Sequence, residues 1–152
     1  MKFDSEAATL QHMKRVAELL TEAAKELIDR ANNHDLSKLS KEEKPYFDEL
    51  TPKLATTTFG SEEYLQSLKD LKPALHHHFS LNSHHPEFYK NGINGMNLFD
   101  ILEMFLDWKA SGERHEDGNI YKSIEYNKKR FKMSDQLEKI FINTAKKMNY
   151  KE

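Results

Sequence analysis

The strongest constraint on the fold is an unbroken helical periodicity over residues 5–31. This stretch is rich in Ala, Leu, Glu and Lys, residues that cost little to hold in a helix. Met13, Val16, Leu20, Ala23, Ala24 and Leu27 recur at steps of three and four, predicting one buried stripe. Asn32 and Asn33 suit its end. Only four prolines and five glycines occur in 152 residues, and most fall between periodic segments. Ser40 followed by Glu43 reads as a capping box for a short helix to about Leu50, which Thr51-Pro52 breaks. Ser61, Glu62 and Glu63 open a helical pattern through Leu65, Leu68 and Leu71 toward Asn82. Pro73 either kinks that helix or opens a new one. Residues 83–95 read as loop, 97–111 as a helix apolar around most of its circumference, and 112–118 as a polar connection. Helices over 120–131 and 135–149 follow, the last capped by Ser134 with Leu137, Ile140, Phe141 and Met148 facing inward. No segment alternates as a strand would. The expectation is an all-α chain forming one domain over 1–152.

Charge and composition narrow the function classes. Lys and Arg total 23 against 25 Asp and Glu, a net charge of −2, so there is no basic excess of the kind that drives sequence-independent nucleic-acid binding. No apolar run approaches the roughly 18 residues of a membrane span. The opening Met1-Lys2-Phe3-Asp4-Ser5-Glu6 lacks the build of a secretory signal, and a cytoplasmic location is expected. The chain has no cysteine, which excludes disulfides, thiolate zinc sites and a thiol nucleophile. Any transition-metal chemistry must rely on imidazole. Histidine is the unusual entry, with eight in all, five of them at 76, 77, 78, 84 and 85.

Four places carry candidate chemistry. His12 falls within about 60° of Val16, Leu19, Ala23 and Leu27 on a helical wheel, so its ring is expected to be buried and to need a partner, either a carbonyl or a metal. His34-Asp35, in Asn33-His34-Asp35-Leu36-Ser37-Lys38, is either helix-end punctuation or a ligand pair. In the histidine-rich segment from His76 to Glu87, two or three rings are expected to be ligands, with His76 and His77 as bystanders. On the 97–111 helix, Asp100, Glu103, Asp107 and Ser111 share one face. Asp100 is expected on the wet side, whereas Asp107, on an apolar and therefore central helix, needs a partner or a metal.

In chain order, His12, His34-Asp35, His78, His84/His85 and Asp107 resemble the ligand series of the HD-domain superfamily of metal-dependent phosphohydrolases. Lys38, three positions after the His-Asp pair, is similar to the lysine usual there. Three segments also resemble a small branch common in phages and bacteria: His34 to Lys38, His78 through Asn82 to Glu87, and Glu103-Met104 to Asp107-Trp108. The resemblance spans about residues 8–145. It implies a helical bundle holding one or two divalent metals (Mn, Fe, Ni, Co or Zn) at its centre. His12, His34, Asp35 and Asp107 would hold the first, and Asp35 would bridge to a second held by His78 and His84 or His85.

The implied reaction is hydrolysis of a phosphate ester, in a nucleotide or related small phosphorylated metabolite, by a metal-activated water. Two carboxylates neutralise about one divalent cation, so a second metal leaves positive charge for the phosphate. Lys38 would orient the phosphate or protonate the leaving group, and Glu103 would orient a ligand histidine. Asn82, Lys109, Arg114, Lys122 and Arg130 are candidate substrate contacts, each of the four cations reading first as a solvated surface charge. Two other readings stand beside this one: an HD-type diiron oxygenase, and a non-catalytic, metal-stabilised phage accessory or binding protein. The expected partner is the small phosphorylated substrate, with no membrane and no strong sign of nucleic-acid binding, and self-association left open. The expected location is the cytosol of a bacterium or of a phage-infected host.

Overall fold

The computed structural model describes residues 4–56, 62–114 and 118–151. Among these residues every regular element is helical and no strand occurs, so the all-α expectation holds. The chain divides into two units, Met1–His34 and Asp35–Glu152.

The first unit is helix α1, Ser5–Asn33. The Asp4 carboxylate caps it, accepting from the Glu6 and Ala7 N–H groups at 3.0 and 3.4 Å. Helix α1 extends through Asn33, whose amide donates to the Asp29 carbonyl at 2.7 Å, and His34 ends it by leaving helical φ/ψ. The expected buried stripe is a correction. No residue of α1 is buried; Met13, Leu20 and His12 are all exposed. A single helix has no second layer within its own unit, so phase alone aligns apolar side chains without enclosing them.

The second unit holds two apolar cores. In the first, Leu50 on α2 (Lys44–Thr56), Leu71 before α4 and Ala74 on α4 (Lys72–Leu81) pack with Phe47 and Leu75. Helix α3 (Glu62–Asp70) lies between α2 and α4 in the chain. Pro73 lies in the first turn of α4, where its missing N–H costs nothing, so it opens a new helix. Pro52, expected to end α2, lies inside it instead. The helix continues for one further turn, to Thr56, whose hydroxyl donates to the Pro52 and Lys53 carbonyls at 3.2 and 3.1 Å. Residues 83–95 contain two 3₁₀ turns, Pro86–Phe88 and Gly92–Gly95.

The second core joins α5 (Leu98–Gly112), α6 (Ile120–Phe131) and α7 (Asp135–Lys147). Met104, Phe105, Ile120, Ile124, Met133, Phe141 and Ala145 are its buried members. Phe105 stacks on Phe141 with centroids 5.2 Å apart, and Trp108 stacks on Phe131 at 6.3 Å. Ser134 caps α7 as expected, accepting from the Leu137 N–H at 3.2 Å. Ile140 and Met148, expected inward, are exposed. The packed stripe follows Leu137, Phe141 and Ala145 at steps of four; Ile140 is about 100° away from Phe141, and Met148 lies past the last turn.

Asp100 is also a correction. It is fully buried, not on the wet side. It forms a capping box with Asn97 at the start of α5, accepting from the Asn97 N–H at 3.0 Å. The Ser83 and Tyr89 hydroxyls donate to its two oxygens at 2.7 and 2.6 Å. These donors replace the water that a buried carboxylate loses. Gly95 backs this arrangement: a Cβ there would lie 2.8 Å from Tyr89 Cβ, so only glycine leaves the tyrosine in place.

Candidate metal centre

Within the second unit, one cluster gathers ligand-type atoms. Asp35, His78, His84 and His85 each present an atom within 4.8 Å of the others. The elements that deliver them are local in origin. Asp35 adopts a left-handed backbone, φ 57° and ψ 15°, which an aspartate tolerates better than most residues and which is common at functional positions. A 3₁₀ turn, Leu36–Leu39, follows directly. His78 is in the last turn of α4 and is 1 % exposed. His84 and His85 come from the bend between α4 and Pro86–Phe88, so a chain reversal returns them to the helix that carries His78.

The geometry is tight. Asp35 Oδ1 lies 3.2 Å from His78 Nε2 and 3.4 Å from His84 Nε2. His78 Nε2 and His85 Nε2 are 2.9 Å apart. On the far side of each buried ring sits a second carboxylate. His84 Nδ1 is 3.1 Å from Glu103 Oε1. His78 Nδ1 is 3.0 Å from Glu43 Oε2. An outer carboxylate that takes the Nδ1 hydrogen turns the Nε2 lone pair inward, the arrangement seen around imidazoles that bind metal. Lys38 Nζ holds the other oxygen of Asp35, Oδ2, at 2.5 Å, and also lies 5.4 Å from the centroid of the Phe47 ring.

The electrostatics favour a cation at the centre. Burial opposes the Asp35 charge, but contacts with His78, His84 and Lys38 outweigh it and hold the carboxyl far below its usual range. Burial lowers the His85 imidazole to about 3, reinforced by His84 and His78 and opposed by Asp107 and Asp35. His85 is therefore neutral at pH 7 and able to donate a lone pair. Between each inward nitrogen and Asp35 Oδ1 the charge must be positive, supplied by a proton or by a metal ion. The donor set, imidazole nitrogen with carboxylate oxygen, fits a divalent transition metal. The cluster can hold a metal ion.

The other candidate residues are placed as follows. His12 and His34 belong to the first unit, His12 exposed and His34 half-buried at the end of α1. Asp107 is half-buried on α5 and accepts from the Ser111 hydroxyl at 3.4 Å. Asn82 donates to Ser37 Oγ at 2.9 Å and to the His78 carbonyl at 2.7 Å, so its amide is engaged inside the fold. Lys109 pairs with Glu113 and lies 4.9 Å from the Tyr150 ring centroid. Arg130 pairs with Glu87 at 2.8 Å. Arg114 and Lys122 are exposed. His76 is exposed, whereas His77, expected as a bystander with it, has Nδ1 2.7 Å from Glu43 Oε1. The eighth histidine, His115, lies outside the described residues.

Glu43 and Ser37 are the residues that sequence reasoning missed. Glu43 was absorbed by its capping-box spacing. Only half of that box forms: the Glu43 N–H donates to Ser40 Oγ at 3.3 Å. The Ser40 N–H already donates to the Ser37 carbonyl at 2.9 Å, which releases the Glu43 carboxylate to the histidines. No local signal distinguishes the two uses.

Fold and site together define an all-α protein with a buried histidine–aspartate cluster able to hold a metal ion. The chain belongs to a family of unknown function, DUF5662, whose model matches residues 1–147. No curated protein and no solved structure matches it.

Proposed function

We propose that this protein is a metal-dependent phosphohydrolase of the HD type, acting on a phosphate ester of a nucleotide or a related small metabolite. One observation carries the reading: Asp35, His78, His84 and His85 converge on one point, with carboxylates behind two of the rings. This supports metal binding directly. The reaction class rests on the chain order of His-Asp, later histidines and a final Asp, which resembles the HD series.

When bound, a divalent cation supplies an acidified water and a Lewis acid for phosphoryl oxygens. The chain's own residues do the rest. His78, His84 and His85 would bind the ion through Nε2, with Asp35 contributing Oδ1. Lys38, by holding Oδ2, keeps Oδ1 turned toward the rings and places one positive charge where a phosphate would approach. Glu103 keeps the hydrogen of His84 on Nδ1. The near-neutral composition, −2 overall, leaves the attraction for an anionic substrate to the ion and Lys38.

The test is elemental analysis of the purified protein, followed by phosphate release from a nucleotide panel with added Mn²⁺, Ni²⁺, Co²⁺ or Fe²⁺. Stoichiometric metal with metal-dependent phosphate release is the expected result. Oxygen uptake by an iron-loaded protein without phosphate release would transfer the site to oxidative chemistry. Metal without turnover would make it a stabilising ion in a binding protein.

A further inference from the structure

We infer that Glu43 is a positioning residue for the metal centre, fixing which nitrogen of His78 faces the ion; the inference rests on the metal reading above. Glu43 is completely buried at the start of α2, thirty-five residues in sequence from His78. An ionised carboxylate in such a place is costly unless donors surround it. Three do: Ser37 Oγ at 3.1 Å, His77 Nδ1 at 2.7 Å and His78 Nδ1 at 3.0 Å.

The contacts around His78 Nδ1 favour one arrangement of hydrogens. Ser37 Oγ, Glu43 Oε2 and Asn82 Nδ2 lie within 2.9, 3.0 and 3.2 Å of it. A carboxylate only accepts, so a bare Nδ1 would set its lone pair against Glu43 Oε2 at 3.0 Å, whereas an Nδ1 that carries the ring hydrogen donates to it and leaves the Ser37 hydroxyl to donate to Glu43 as well. The two Asn82 amide hydrogens go to Ser37 Oγ and to the His78 carbonyl. The ring hydrogen of His78 therefore sits on Nδ1 and goes to Glu43. A ring that ligates a metal is neutral and has one such hydrogen, so with an ion bound Nε2 presents the lone pair on the side of Asp35 Oδ1 and His85 Nε2. Glu43 thus plays for His78 the part Glu103 plays for His84. A glutamine in its place offers both a donor and an acceptor, so it no longer forces the hydrogen onto Nδ1.

The experiment compares wild type, Glu43→Gln and His76→Ala. Zn²⁺ affinity is measured by competition with a chromophoric chelator, and ¹H–¹⁵N correlation spectra of the Zn²⁺-loaded protein report the His78 tautomer. The expected results are the Nδ1–H form in wild type and a loss of Zn²⁺ affinity of about 10- to 100-fold in Glu43→Gln. His76→Ala, at an exposed position, keeps wild-type affinity. In the Zn²⁺-loaded wild type, a His78 carrying its hydrogen on Nε2, or on both nitrogens, overturns the inference even if Glu43→Gln fails to fold. Unchanged Zn²⁺ affinity in a folded Glu43→Gln overturns it while leaving the metal reading intact. A wild-type protein that binds no Zn²⁺ overturns both.

Discussion

Asp35 divides its two oxygens between different tasks, Oδ2 to Lys38 and Oδ1 to the histidines. Both uses need the negative charge rather than the shape of the side chain. Asp35→Asn keeps the shape and removes the charge, so the variant should lose stoichiometric metal while its far-UV circular dichroism stays helical. Retention of the ion would show that the carboxylate is not a ligand. Asp35, beside a histidine, and the three rings at 78, 84 and 85 stood out in the sequence because histidine is rare and its clustering conspicuous; His34, expected to ligate with Asp35, belongs to the other unit. Glu43 was not, because glutamate is common and a sufficient local role was at hand. His12 shows the opposite failure: helical phase fixes a direction, but burial depends on what lies in that direction.

Among the elements, α5 links the cluster to the second core. One face carries Glu103 beside the buried His84, and another buries Met104 and Phe105. The start of α5 is fixed by Asp100, which ties together the Asn97 cap, Ser83 and Tyr89. Asp100→Ala would leave these donors without their acceptor. It should cost about 2–3 kcal/mol, combining cap loss with unsatisfied buried donors, measured as a shift in the urea midpoint. A change within about 0.5 kcal/mol would mean that water replaces the carboxylate there. Gly95→Ala should act on the same group through Tyr89, since the added Cβ cannot coexist with the present ring position. The existence and order of the helices were readable from periodicity. Their ends and faces were less so: Pro52 stays within α2, and Asp100 turns inward. For Asp100 the deciding contacts, from Ser83 and Tyr89, come from beyond the local window.

For the whole second unit, stability and site chemistry rest on different parts. The α5–α6–α7 core centres on Phe105 and Phe141, stacked at 5.2 Å. Phe105→Ala should destabilise the protein by about 3–5 kcal/mol yet leave metal stoichiometry unchanged at temperatures where it remains folded. Metal binding should in turn raise stability by mass action, by about 2.7 kcal/mol at a free ion concentration one hundred times Kd, and a chelator should reverse the gain. The central claim is that Asp35, His78, His84 and His85 form a metal centre. Its most direct test is the metal content of wild type and His78→Ala, purified in parallel and analysed by mass spectrometry before and after chelation. The expected result is at least one transition-metal ion per wild-type chain, removed by chelator and restored on reloading, and none in His78→Ala. An unreloadable wild type, or equal content in the two proteins, would contradict it.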